Sequence, residues 1–241
     1  MTELKKNICL VHGWGANAAK LIPLKEELGK LGWNVFLVLI PFFELKAPRK
    51  PWDLKDFADF IDKKSRSFFK KESYCLFGYS FGGRIGIKMA SENFPKLNSL
   101  VLCSAAGISR INPIRRFFFK LLVTFFSPFK KPLESQLPYF KKIIYRLARA
   151  FDYEKIKSKI KKETFKRIIE ESLRLQAEKA KIPTLIVWGG KDKTTPVKDA
   201  YFLKNKITNS TLEIFPKENH QLPYHKPKKI AKKIDLWFKK L

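Results

Sequence analysis

The sequence predicts an α/β fold: a mostly parallel sheet of about six strands, helices on both faces, and a helical lid inserted between two of the strands. Three observations lead there. Short apolar runs recur along the 241 residues, each closed by a turn signal. Stretches of helical period separate them, the pattern of βαβ units whose strands are buried on both faces. One long stretch, from about residue 109 to 181, breaks that rhythm and carries basic, aromatic and helical pattern without a convincing strand.

The first strand is Ile8–Val11 (ICLV), and after the loop HGWGAN a helical pattern runs from Ala18 to Leu31. Val35–Ile40 (VFLVLI) is a continuous apolar run ended by Pro41, a residue that cannot donate to a ladder. Leu54 to Phe69 places Phe57, Phe60 and Ile61 at helical spacing. Tyr74–Phe77 leads through GYSFGG into a helix that ends near Glu92. Leu100–Cys103 and Thr184–Trp188 repeat the buried-strand type, and Leu212–Phe215 is the last strand. A closing helix over Lys226–Lys240 puts Ile230, Ile234 and Trp237 on one face. The interrupting stretch begins RINPIRRFFFKLLVTFFSPFKKP and ends in a long helical pattern from Glu163 to Lys179. The expected division is a core of residues 1–108 and 182–241 with a lid of residues 109–181.

Composition narrows the function classes. Hydrophobic residues make up 45% of the chain, enough for a real core, so a wholly disordered protein is excluded. No segment reaches the roughly 18 uncharged apolar residues of a membrane span, and the opening MTELKKNICLVHGWG lacks an apolar stretch of signal-peptide length. These readings place the protein in the cytoplasm. Cys9, Cys75 and Cys103 lie in apolar runs with no CxxC spacing, which points to buried thiols rather than a disulfide framework or a zinc site. The formal charge of +28 allows an anionic membrane surface as a partner, against the simpler reading of a lysine-rich solvated surface.

The chemistry centres on Leu76–Gly86, LFGYSFGGRIG. A phosphate-binding loop would need GxxxxGK followed by Ser or Thr, and a dinucleotide fingerprint would need GxGxxG; neither is present. What fits is G-x-S-x-G over Gly78–Gly82 on a strand-to-helix turn, where a Cβ two residues before or after the serine would clash. A nucleophilic Ser80 needs a base, an acid that orients it, and donors for the oxyanion. The loop His12–Gly15 offers a backbone N–H to a developing oxyanion, and Phe81 offers the second. With His12 in the first loop, His220 and His225 remain as bases, and His220 better matches a position just after a strand. Asp192, after TLIVWGG, sits at a carboxyl strand end, where sites of such sheets assemble. Asp199 falls in the helix after Pro196 and reads as a solvated residue; Glu218 is too close in sequence to His220 to orient it.

Over essentially its whole length the chain resembles the α/β-hydrolase superfamily, through HGWG, GYSFGG, WGGKDKTTP and the Asn219–His220 pair in that order. It looks most like the small serine carboxylesterases related to pimeloyl-carrier-protein methyl ester esterase. The resemblance implies Ser80 as nucleophile, His220 as general base, Asp192 as its orienter, and the amides of Trp14 and Phe81 as oxyanion hole. Trp14, Tyr79 and Phe118 are the expected substrate-binding residues. No metal or organic cofactor is implied, and the partner is a small acyl ester, not a nucleic acid. Two departures stand out: IPFFELKAPRKPWDL lacks the glycines of the family's D-x-x-G-x-G-x-S loop, which alters one pocket wall, and the short stretch before the first strand predicts that the usual N-terminal hairpin is absent. A carbon–carbon bond hydrolase with the same triad, or a non-catalytic basic protein binding anionic lipid or nucleic acid, are the alternatives.

Overall fold

A computed structural model of the chain describes residues 5–108, 156 and 158–241. The described residues contain six parallel strands in the order β2-β1-β3-β4-β5-β6. They are β1 (Asn7–Val11), β2 (Asn34–Leu37), β3 (Tyr74–Tyr79), β4 (Leu97–Cys103), β5 (Thr184–Gly189) and β6 (Ser210–Phe215). The helices are α1 (Ile22–Gly29), α2 (Leu54–Phe68), α3 (Phe81–Ser91), α4 (Lys159–Glu170), α5 (Arg174–Lys179), α6 (Lys198–Lys206), α7 (Leu222–His225) and α8 (Pro227–Phe238).

Period-two alternation divides the strands between two cores. Ile8, Leu10, Cys75 and Phe77 face a cluster closed by Leu24 and Leu28 of α1 and Ile230 and Ile234 of α8. Cys9, Val11, Tyr74 and Leu76 face the opposite cluster, with Phe57 and Ile61 of α2, Ile85 of α3, Ala177 of α5 and Leu203 of α6. Strands apolar on both faces are thus covered on both, which is why they read as unbroken runs. All three cysteines are buried free thiols, and burial pushes Cys9 and Cys75 up to about 12.

Four local details differ from the sequence reading. β2 stops at Leu37 rather than Ile40, because the Ile40 N–H turns away to the Glu44 carboxylate at 3.0 Å. The pattern from Ala18 to Leu31 starts as a 3-10 turn, Ala18–Leu21, capped by the Asn17 side chain, and only then becomes α1 with Pro23 in its first turn. The pattern from Glu163 to Lys179 is two helices, since Glu171 takes an extended ψ of 114° and its carbonyl accepts from Arg84. Asp199 is 4% exposed rather than solvated, in the first turn of α6, where a carboxylate meets the positive end of the helix.

The order 2-1-3-4 puts the point where the winding reverses between β1 and β3. Ligands of such sheets bind outside the carboxyl ends of the strands at that crevice. Val11 pairs with Gly78 there, so the loop after β1 and the turn after β3 emerge side by side.

Candidate active site

Ser80 is the single residue between β3 and α3, with φ 51° and ψ −104°. A left-handed φ in a non-glycine residue is strained and persists only where surrounding contacts fix it. Three backbone bonds do so: the Ser80 N–H donates to Cys103 O at 3.0 Å, and its carbonyl accepts from Arg84 and Ala106 at 3.1 and 3.0 Å. The flanking glycines are required sterically. A Cβ on Gly78 would stand 2.4 Å from the Gly82 carbonyl oxygen, and one on Gly82 would stand 2.3 Å from that of Val11. The clash expected two residues before and after the serine is therefore present on both sides. Phe81 N–H heads the first turn of α3, where amides have no intrahelical partner and the dipole is positive.

The loop after β1 meets this turn directly. A Cβ on Gly13 would lie 3.1 Å from Tyr79 Cε1 and 3.3 Å from Ser80 Cβ, so the loop passes close over the serine. Trp14 follows, with its ring packed against Phe43, Phe81 and Phe165 at 5.0, 5.3 and 5.0 Å between centroids. Phe43 comes from the loop lacking the glycines, and its neighbour Phe42 holds φ at 75° without being glycine. Lys161 of α4 lies over the Phe43 ring at 4.2 Å and donates to Phe42 O at 2.7 Å. Burial pushes the Lys161 ammonium below its ordinary range, partly offset by Glu44.

On the other side, the β5 and β6 loops bring Asp192 and His220 together. His220 Nδ1 is 2.7 Å from Asp192 Oδ2. The Thr195 hydroxyl donates to the same oxygen at 2.9 Å, while Thr194 and Thr195 N–H groups donate to Oδ1 at 2.8 and 2.9 Å. Burial alone would raise the Asp192 carboxyl, but the His220 hydrogen bond and charge and the Thr195 amide outweigh it and hold it below its usual value. The loops can come this close because Gly189 and Gly190 are glycines. A Cβ on Gly189 would reach 2.6 Å from the Glu218 and Asn219 carbonyls. The His220 ring packs at a tilt of 40° against that of Tyr79, the residue before the serine, with centroids 5.2 Å apart.

Residues 53–226, nearly three quarters of the chain, match the family described as "Hydrolase_4: Serine aminopeptidase, S33". The chain belongs to this family of α/β hydrolases. Among the curated relatives of this hydrolase is the pimeloyl-[acyl-carrier protein] methyl ester esterase of Neisseria meningitidis. It is 24% identical over 240 residues, covering 91% of this chain and 88% of the relative. Two solved structures share the fold. The esterase EaEST from Exiguobacterium antarcticum has a TM-score of 0.71 at 20% identity, covering 98% of this chain and 93% of its own. A meta-cleavage product hydrolase from Pseudomonas fluorescens has a TM-score of 0.70 at 16% identity, covering 98% and 92%.

The structure thus brings Ser80, Trp14, Phe81 and Tyr79 to one end of the sheet, and pairs Asp192 with His220 beside them. His225 is not part of this group; its Nδ1 stands 3.6 Å from Glu218, and its side chain is 45% exposed. Tyr79 is only 4% exposed, with its ring against His220 and Tyr224, which places it to seat the imidazole. Phe118, and residues 109–155 of the expected lid with it, lie outside the described residues. Sequence reasoning missed Thr195 and Phe165 at the site. The threonine had one available signal, its place in KDKTTP three residues after the acid; Phe165 had none, because its value lies in a contact with residue 14.

Proposed function

We propose that this hydrolase cleaves a carboxylic ester or thioester through an acyl-Ser80 intermediate, with His220 as general base and Asp192 as the group that orients it. The observation that carries the reading is the strained Ser80 turn, wedged between Gly78 and Gly82 and passed by Gly13. Strain held by three backbone bonds at one hydroxyl-bearing residue suits a nucleophile presented at a sheet edge.

In this mechanism the Ser80 oxygen attacks the acyl carbon as its proton passes to His220 Nε2. The Asp192 carboxylate accepts a hydrogen bond from Nδ1–H, which fixes the tautomer and stabilises the imidazolium. The amides of Trp14 and Phe81 hold the tetrahedral oxyanion, and the His220 proton leaves with the alcohol or thiol. Water, deprotonated by His220, then attacks the acyl-enzyme; the serine regains its proton and the acid departs. The aromatic wall of Trp14, Phe43, Phe81 and Phe165 supports an apolar acyl group.

The three free thiols suit a reducing compartment and support a cytoplasmic enzyme. No helix among the described residues is long and apolar enough to cross a membrane. An anionic membrane surface is retained as a partner, on the strength of the +28 charge. The likeness to a carbon–carbon bond hydrolase fold supports one second reading, in which the same groups cleave a dicarbonyl compound. The test is a panel of p-nitrophenyl esters of graded chain length, acyl thioesters and a vinylogous diketone. Turnover of esters or thioesters supports the reading, whereas turnover of the diketone alone replaces it with the second.

A further inference from the structure

The loop between β2 and α2, where the family's glycines are missing, supplies one largely buried carboxylate, Glu44, with an 11% exposed side chain. Its oxygens form a hub between two loops. Oε1 accepts from the Ala18 N–H at 2.7 Å, at the far end of the HGWGAN loop. Oε2 accepts from the Ile40 N–H at 3.0 Å, in its own loop. Both oxygens also face His12 Nε2, at 3.1 and 3.2 Å. His12 is fully buried, and its other nitrogen, Nδ1, is 2.8 Å from the Gly13 carbonyl oxygen.

Each ring nitrogen of His12 therefore meets an acceptor oxygen, Nε2 the Glu44 carboxylate and Nδ1 the Gly13 carbonyl. The bond at Nδ1 fixes the Gly13 carbonyl, which belongs to the same peptide unit as the Trp14 N–H. Holding that carbonyl sets the direction of the Trp14 amide. The Ala16 N–H also returns to the Gly13 oxygen at 3.2 Å. Burial alone would raise the Glu44 carboxyl, but the Ile40 and Ala18 amides and His12 outweigh it and hold it below its usual range. Among the described residues, Lys161 of α4 also lies close enough to Glu44 for its charge to act on it.

We infer that Glu44 is a positioning residue: through His12 it aims the Trp14 N–H at the oxyanion. The inference rests on the esterase reading for its catalytic consequence, but its geometric part stands apart from it. Only a carboxylate accepts from all three donors at once; an amide in its place turns an NH2 toward a donor and loses at least one of the bonds. An oxyanion donor moved by a fraction of an ångström weakens the transition state more than the bound substrate.

The test is Glu44→Gln in the full chain, read in two ways. Kinetically, kcat on the best p-nitrophenyl ester should fall about 10- to 100-fold with KM within about twofold, and affinity for a boronic acid mimic of the tetrahedral state should fall in parallel. By NMR, the variant should shift the Trp14 and Ala16 amide signals while those of β5 stay in place. If the variant does not fold, His12→Asn, which keeps an N–H for the Gly13 carbonyl and loses the Glu44 contact, is read in the same way. Unchanged kcat, or a Trp14 amide that does not move, overturns the inference. A wild type without hydrolytic activity overturns the esterase reading instead, and the NMR comparison then decides on its own whether Glu44 holds the loop.

Discussion

His220 Nδ1 lies 2.7 Å from Asp192 Oδ2, and every other acceptor site of that carboxylate is occupied by the β5 loop itself. The loop thus holds the carboxylate in place independently of His220. Asp192→Asn should lower kcat by about 10²- to 10⁴-fold, because an amide cannot accept from the loop and from His220 together and favours the wrong tautomer. Thr195→Val should cost less, roughly 10- to 100-fold, the value of one hydrogen bond to a charged group. Initial-rate kinetics on a single ester checks both, and a larger loss in Thr195→Val than in Asp192→Asn contradicts this ordering.

The two remaining histidines should separate cleanly. His220→Ala should remove nearly all activity, about a thousandfold or more. His225→Ala should leave kcat within about twofold, since its contact is an exposed pair 3.6 Å from Glu218. A reversed result in the same assay would reassign the base.

Glycine substitutions should discriminate the elbow from ordinary helix. Gly82→Ala forces a methyl to within 2.3 Å of the Val11 carbonyl, a backbone atom that cannot swing aside. We expect at least about 2–3 kcal/mol of destabilisation from such overpacking, visible as a lower urea midpoint. Gly29→Ala meets nothing within 4 Å at the end of α1 and should be neutral or slightly stabilising.

Acid should act partly through Asp192. Its folded carboxyl lies below the ordinary value of 3.8, so it adds stability above that value and loses it as pH falls through the lower folded value. The urea midpoint of the wild type should therefore exceed that of Asp192→Asn at pH 5, and the gap should narrow toward pH 3. Charge repulsion in a chain this basic rises in both proteins and does not account for the narrowing. A gap that widens on acidification would contradict the sign.

The strands were legible because burial on both faces writes itself as unbroken apolar runs such as YCLFGY, and the elbow because a glycine on each side of Ser80 answers a steric demand. That Asp192 and His220 come together was legible from their places just after strands. Glu44 and Phe165 were not, because each matters through a neighbour distant in sequence: Glu44 through His12, Phe165 through Trp14. Asp199 misled for a related reason. A polar residue near a helix start reads as solvated, and nothing local says that the helix lies with that turn against the core. The end of β2 was misplaced because apolar residues continue to Ile40 while the hydrogen bonds that define a strand have already left for Glu44.

The central claim is that Ser80 is the nucleophile, and the most direct measurement is mass spectrometry after reaction with a fluorophosphonate. The account predicts one adduct per chain, on the peptide containing Ser80, absent from a folded Ser80→Ala variant that has lost at least about a thousandfold in ester hydrolysis. An adduct on another residue, no adduct at all, or a Ser80→Ala variant that keeps more than a few per cent of the rate would contradict it.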